Sequence, residues 1–223
     1  MRQLTPELLD LLAPDDPRAL RSRRDLARIN ALMMQHRIMA KALAGLPRPR
    51  LLADLGGGDG RFLLGVARRL KQWRGVKAVI LDRQAIVSRE THDEFQTLGW
   101  SCEVMQGDIF ETLPQLSPDI VTANLFLHHL EDGALTRLLA LVAARAFRFV
   151  TCEPRRSAFA MFGARLVFML GANDVSRHDA LASVRAGFAG QDLSSLWPQS
   201  PEWKTDERGV FPFTHQFVAR HAP

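Results

Sequence analysis

Asp54-Leu55-Gly56-Gly57-Gly58-Asp59-Gly60 is the stretch on which the reading of this chain turns. Before it stands Leu51 to Leu55, an apolar run with the length of a short buried strand. After it Phe62, Leu63, Val66, Ala67 and Leu70 fall on one helical stripe. A strand that runs through glycines into a helix is a device for holding a ligand at a helix N-terminus. Glycine lets the backbone turn sharply and come close with no Cβ in the way. The run Val76 to Asp82 then reads as a second strand and completes one βαβ unit.

Outward from that unit the alternation repeats. The pattern predicts a helix near 84–98, strands near 101–106 and 119–124, a helix carrying Leu135, Leu138, Leu139 and Val142, and a strand from Phe147 to Cys152. Strands alternating with helices imply parallel pairing with right-handed crossovers on both faces. The expected class is α/β: a doubly wound, mostly parallel, Rossmann-like sheet of seven strands. Residues 156–190 read as a helical insertion. A strand around Trp203 and another from Phe211 to Ala219 predict a closing antiparallel hairpin. Upstream, Leu4, Leu8, Leu9 and Leu12, then Leu26, Ile29, Leu32, Met33, Met39 and Leu43, recur at helical spacing around Pro14 and Pro17. These residues make an N-terminal helical cap over 1–46, ahead of a main domain over 47–223.

At 223 residues, 47% apolar and 24% charged, the chain is long enough to bury a core. Lysine and arginine exceed aspartate and glutamate by 29 to 24. The excess is small and scattered, with one denser run at Arg18, Arg21, Arg23, Arg24 and Arg28 that reads first as a solvated helix face, so a nucleic-acid partner is not expected. Cys102 and Cys152 lie in predicted strands without metal-ligand spacing, and no metal is expected. The polar N-terminus lacks the pattern of a signal peptide, which implies a cytoplasmic location. The longest apolar stretch, Ala158 to Ala172, is broken by Arg165 and two glycines and falls short of the roughly 20 residues a membrane span needs.

The nature of the ligand follows from what the loop lacks and what it carries. A dinucleotide fingerprint wants a small residue where Arg61 stands, and a phosphate-binding P-loop wants lysine followed by serine or threonine. Carboxylates on both sides of the glycines, Asp54 and Asp59, would repel a pyrophosphate and suit a ligand bearing an ammonium and a sulfonium. S-adenosylmethionine is such a ligand.

At this point the sequence resembles the class I methyltransferases, whose first motif is an acidic residue, a spacer and G-x-G-x-G, matched by Asp54, Gly56, Gly58 and Gly60. Three further segments match in order. The resemblance implies that Asp82, closing the second strand, takes the ribose hydroxyls. It implies that Asp108 meets the adenine amino group, with Ile109 covering the ring. Pro118 to Leu130 resembles the fourth-strand motif of small-molecule methyltransferases, including the quinone-biosynthesis type, and adds Asn124 and Leu125 to the cofactor set. Taken singly, Asp82 or Asp108 could cap a turn and Asn124 could end a strand.

The resemblance implies transfer of a methyl group from S-adenosylmethionine, which leaves as S-adenosylhomocysteine, to a small aromatic or apolar acceptor, most readily at oxygen. An RNA or protein methyltransferase and a non-catalytic cofactor-binding module stay open as alternatives. The first is disfavoured by Asn124-Leu125-Phe126-Leu127, where base methylation uses an Asn/Asp-Pro-Pro-aromatic motif. Methyl transfer needs alignment more than acid–base help, so a base is optional. If one acts, His128 and His129, at the carboxyl end of the fourth strand, are best placed; the other reading is that they shape the loop and cap the next helix. His178, beside Arg177 in the insertion, is a further candidate. His215 reads as a satisfied core or edge residue, and His36 and His92 as surface helix positions. Met33, Met34, Met39, Phe159, Met161, Phe162, Phe168 and Met169 offer surface for an apolar acceptor pocket, though methionine at helical spacing is usually core. The partner is the small-molecule acceptor, with a homodimer left open.

Overall fold

The computed structural model describes residues 2–13, 15–166, 171 and 173–222. Pro14, Phe168, Met169 and Ala172, used in the reading above, lie outside the described residues, as do the side chains of Leu26 and Leu32.

Seven strands, β1 (Leu51–Leu55), β2 (Val76–Asp82), β3 (Trp100–Gln106), β4 (Ile120–Asn124), β5 (Arg148–Pro154), β6 (Trp203–Val210) and β7 (Thr214–His221), form one sheet in the order β3-β2-β1-β4-β5-β7-β6. The pairs β3-β2, β2-β1, β1-β4 and β4-β5 are parallel, while β7 runs antiparallel to both β5 and β6. The doubly wound sheet with a closing hairpin is therefore the architecture observed. Strand order reverses between β1 and β4, which opens a crevice at their carboxyl ends, the usual ligand position in such sheets.

Neighbouring residues on a strand face opposite sides, and the core divides accordingly. Leu52, Ile120, Val150 and Val218 pack with helix α3 (Gln35–Ala44) and helix α4 (Arg61–Ala67). Ala53, Val121, Phe149 and Phe217 pack on the other face with helix α7 (Asp132–Arg145) and Trp197. Met39 and Leu43 of α3 are fully buried in the first cluster, so this helix shares the core of the sheet.

Two elements start three residues or more later than the sequence reading has them. Helix α5 (Arg89–Thr97) starts five residues later than 84, because Ser88 accepts the Thr91 N–H as its N-cap and the Gln84 N–H is taken by Asp82. The last strand begins at Thr214 instead of Phe211: Pro212 has no N–H to give a ladder and lies in the hairpin turn. The edge strand β6 carries Lys204, Asp206 and Arg208 exposed, charges that discourage pairing with another edge.

Among the described residues the remaining α-helices are α1 (Leu8–Leu11), α2 (Pro17–Leu32), α6 (Ile109–Thr112), α8 (Ala158–Leu166), α9 (Asp174–Ala186) and α10 (Asp192–Leu196). Pro17 sits at the first position of α2, where its missing N–H costs nothing. Buried Asp25 on α2 accepts from the Ser176 hydroxyl and the Asn173 N–H, joining α2 to the start of α9. Asp179 on α9 accepts the Leu8 and Leu9 N–H groups, so the open end of α1 is capped from another helix.

Candidate cofactor and acceptor site

The glycine loop, Asp82 and the turn after β4 come together at the carboxyl ends of β1, β2 and β4. Gly56 has φ +63°, a backbone that L side chains rarely adopt, and a Cβ there would stand 2.2 Å from the ring of Phe126. Gly58 is also left-handed, at φ +56°, but nothing lies within 4 Å of where its Cβ would point. One glycine is demanded by a neighbouring ring, the other by the turn itself on the open side of the loop. Gly60, also left-handed, occupies the N-cap of α4.

The two loop carboxylates do not face outward as a pair. Asp54 is buried beneath the loop, accepting the Thr122 hydroxyl at 2.6 Å, and its carboxylate would touch a Cβ at Gly57. Burial, with the Asp82 charge adding to it against the Thr122 hydrogen bond, pushes its carboxyl up to about 7. Asp59 instead accepts the Arg61 N–H and stands 3.9 Å from its guanidinium. The carboxylate that meets the loop is Asp82, which takes the Gly58 N–H at 2.9 Å and the Gln84 N–H at 2.8 Å. Asp108 caps α6 by accepting the Phe110 N–H, and its second oxygen lies 3.4 Å from Arg83. Ile109 is buried beside it.

At the end of β4 the buried Oδ1 of Asn124 has no hydrogen-bond partner among the described residues. An unmet buried acceptor costs about 1–3 kcal/mol, which a donor on a ligand would recover. The next residue, Leu125, is left-handed at φ +50°, a strain of about 1–3 kcal/mol that only surrounding structure can impose. That structure is β5: the Leu125 N–H donates to the Cys152 carbonyl, and the Phe126 and Leu127 N–H groups both donate to Glu153 Oε1, at 3.2 and 3.0 Å.

Glu153 also carries His128. The imidazole lies with Nδ1 2.8 Å from Glu153 Oε2 and Nε2 3.3 Å from Glu7 Oε1, and its side chain is 3% exposed. Burial alone would lower the imidazole, but the two carboxylates outweigh it and hold it at about 9. Burial likewise raises Glu153, and His128 more than reverses this. His128 thus has both ring nitrogens engaged by carboxylates and little exposure. His129 lies against it, the rings tilted by 35° with centroids 4.2 Å apart, is 28% exposed and lies 4.0 Å from Glu7. His178 is on α9 beside Asp179, 3.1 Å away and 43% exposed, near the docked start of α1 and not joined to the other two histidines by any described hydrogen bond.

Residues 2–9 supply partners that the sequence reading missed. Arg2 donates to the carbonyls of His128, Leu130 and Ala186 and pairs with Asp132, its guanidinium 4.4 Å over the Phe188 ring. Glu7, besides His128, accepts the Ser183 hydroxyl of α9. A carboxylate ending the apolar run Phe149 to Cys152 was the available signal for Glu153: such a group needs a partner.

The remaining expectations sort readily. His215 is satisfied by Glu207 at 2.7 Å, whereas His36 is half-buried, stacked on Phe62 over Gly65. Of the candidate pocket residues, Met33 and Met39 are core, while Phe159 and Phe162 are exposed, Phe159 stacking on Phe213. Among the described residues no helix is long and apolar enough to cross a membrane.

Residues 8–148 match the family model of the O-methyltransferase domain. The mitomycin biosynthesis 6-O-methyltransferase of Streptomyces lavendulae is 30% identical over 92 residues, 40% of this chain and 25% of that protein. An O-methyltransferase-like structure from Nostoc punctiforme superposes with a TM-score of 0.66 at 14% identity, over 98% of this chain and 64% of its own. The plantazolicin methyltransferase BpumL in complex with SAH gives 0.64 at 11% identity, covering 93% and 91%. These structures are alike in fold, and the chain spans about a quarter of the mitomycin relative's length. With the sheet order, the glycine loop and a family match running from α1 into β5, the chain belongs to the O-methyltransferase domain family.

Proposed function

We propose that the chain transfers a methyl group from S-adenosylmethionine to an oxygen of a small aromatic or apolar acceptor. The observation that carries this is the orphaned Asn124 acceptor beside an open left-handed loop and a carboxylate, Asp82, with lone pairs to spare. Those groups fit a ligand that is rich in donors and cationic at one end. When bound, S-adenosylmethionine supplies a methyl carbon activated by a sulfonium.

In this reading Gly56, Gly58 and Gly60 shape the cradle, and Asp54 supports it from beneath. Asp82 accepts from the ribose, Asp108 and Ile109 border the adenine, and Asn124 and Leu125 close the amino-acid end. The acceptor is aligned by helices α8 and α9 and the turn after β4, and alignment with exclusion of water supplies the rate. His128 positions that turn. None of His128, His129 and His178 is assigned a proton transfer. The small-molecule acceptor is the partner, and the reading places the chain in the cytoplasm, where reducing conditions keep Cys102 and Cys152 as thiols.

Calorimetry with S-adenosylmethionine tests the placement. Saturable binding should weaken by about 10–100-fold in Asp82→Ala, the loss of a charge-assisted hydrogen bond. Undiminished affinity would overturn it. Transfer of isotopic methyl to a metabolite extract tests the activity, and absence of any labelled product in every extract would leave a binding module.

A further inference from the structure

The geometry points to a divalent-metal site of zinc type formed by Glu7, His128 and His129, which ties the N-terminal segment to the turn after β4. Ligand atoms of these three side chains lie within 4.8 Å of one another. A carboxylate with two imidazoles is a set that zinc takes readily, with a fourth position left open. The site does not depend on the cofactor reading.

Three observations support it. First, zinc-to-ligand distances of about 2.0–2.2 Å put neighbouring ligands of a tetrahedron about 3.3–3.6 Å apart. The Nε2 of His128 is 3.3 Å from Glu7 Oε1, long for a charge-assisted hydrogen bond and the length of such an edge. The Nε2 of His129 is 4.0 Å from Glu7 Oε2, and rotation of this partly exposed ring closes the remainder.

Second, the backing is that of a metal-bound imidazole. His128 Nδ1 meets the fully buried Glu153 at 2.8 Å, which fixes the tautomer and leaves Nε2 aimed at Glu7. Glu153 is itself held by two backbone N–H groups and the Thr151 hydroxyl.

Third, two of the three ligands, Glu7 and His128, come from segments already held in place. Glu7 is anchored by the Ser183 hydroxyl, the Leu8 N–H following it by Asp179, and the His128 carbonyl by Arg2. An ion here displaces the proton from Nε2 and leaves two histidines and one carboxylate around it. The open position faces solvent on the side of His129.

The experiment is zinc titration of chelator-treated full-length chain by calorimetry, with His129→Ala and His129→Cys beside it. One zinc per chain is expected, with affinity falling at least about 100-fold in His129→Ala. Cobalt in His129→Cys should then show a thiolate charge-transfer band that the wild-type chain lacks. His128 is left intact, since replacing it strips Glu153 of its partner. No saturable zinc binding, equal affinity in His129→Ala, or no thiolate band in His129→Cys would each overturn the site.

Discussion

The glycine loop after β1 and the turn after β4 meet where the Phe126 ring covers Gly56, yet their shapes have opposite origins. Both contain left-handed residues. In the loop the residue type itself permits them, because glycine has no Cβ to clash. In the turn the left-handed residue is a leucine, and Glu153, 28 positions along the chain from Leu125, supplies the reason it stays there. One shape is written locally. The other is imposed by a buried carboxylate that engages two N–H groups, a hydroxyl and an imidazolium.

Breaking the imposed shape should cost the most. Glu153→Ala leaves the His128 charge buried with only Glu7 and frees two backbone donors, so a loss of about 3–5 kcal/mol is expected from urea unfolding. If the loss is below about 1 kcal/mol, Glu153 is not what holds the turn. Gly56→Ala attacks the contact between the two regions. Overpacking against Phe126, together with the left-handed backbone, should cost about 2–4 kcal/mol. Adding Phe126→Ala should restore the steric part alone, and a full rescue would show that backbone strain at Gly56 contributes nothing.

A third test sharpens the comparison through pH. The Asp54 carboxyl keeps its proton to about 7 in the folded chain, whereas an unfolded aspartate releases it near 3.8. Between those values the folded state binds more protons, so this residue's contribution makes stability fall as pH rises, by at most about 1.4 kcal/mol per pH unit, levelling above 7. The Asp54→Asn variant should lack that slope. Unfolding curves of variant and wild type that stay parallel from pH 4 to 8 would contradict the burial argument.

The same contrast explains how much could be read from the residues in order. The alternation Leu52 against Ala53, Ile120 against Val121 and Phe149 against Val150 reports the two faces of the sheet directly, and the glycines report the loop. The role of His128 could not be read that way, since its partners Glu7 and Glu153 stand 121 and 25 positions off and nothing in Leu127-His128-His129-Leu130 names them. Asp54 and Asp59 were legible as carboxylates but not in direction: Thr122 and Arg61 turn them under and away, leaving Asp82 to meet the loop. Short-range caps such as Ser88 shifted boundaries by a few residues without altering the topology.

The docking of residues 2–9 also has a meaning in time. Arg2 and Glu7 leave the ribosome long before Leu130, Ser183 and Ala186, the groups that receive them. A segment translated early must therefore wait, unpaired, for most of the domain to be made and folded. Its contacts span over a hundred positions, a separation that slows closure and favours late arrival. In native-state hydrogen exchange the amides of Leu8 and Leu9 should consequently open before those of β1 and β4, marking the last step of assembly as the first to reverse.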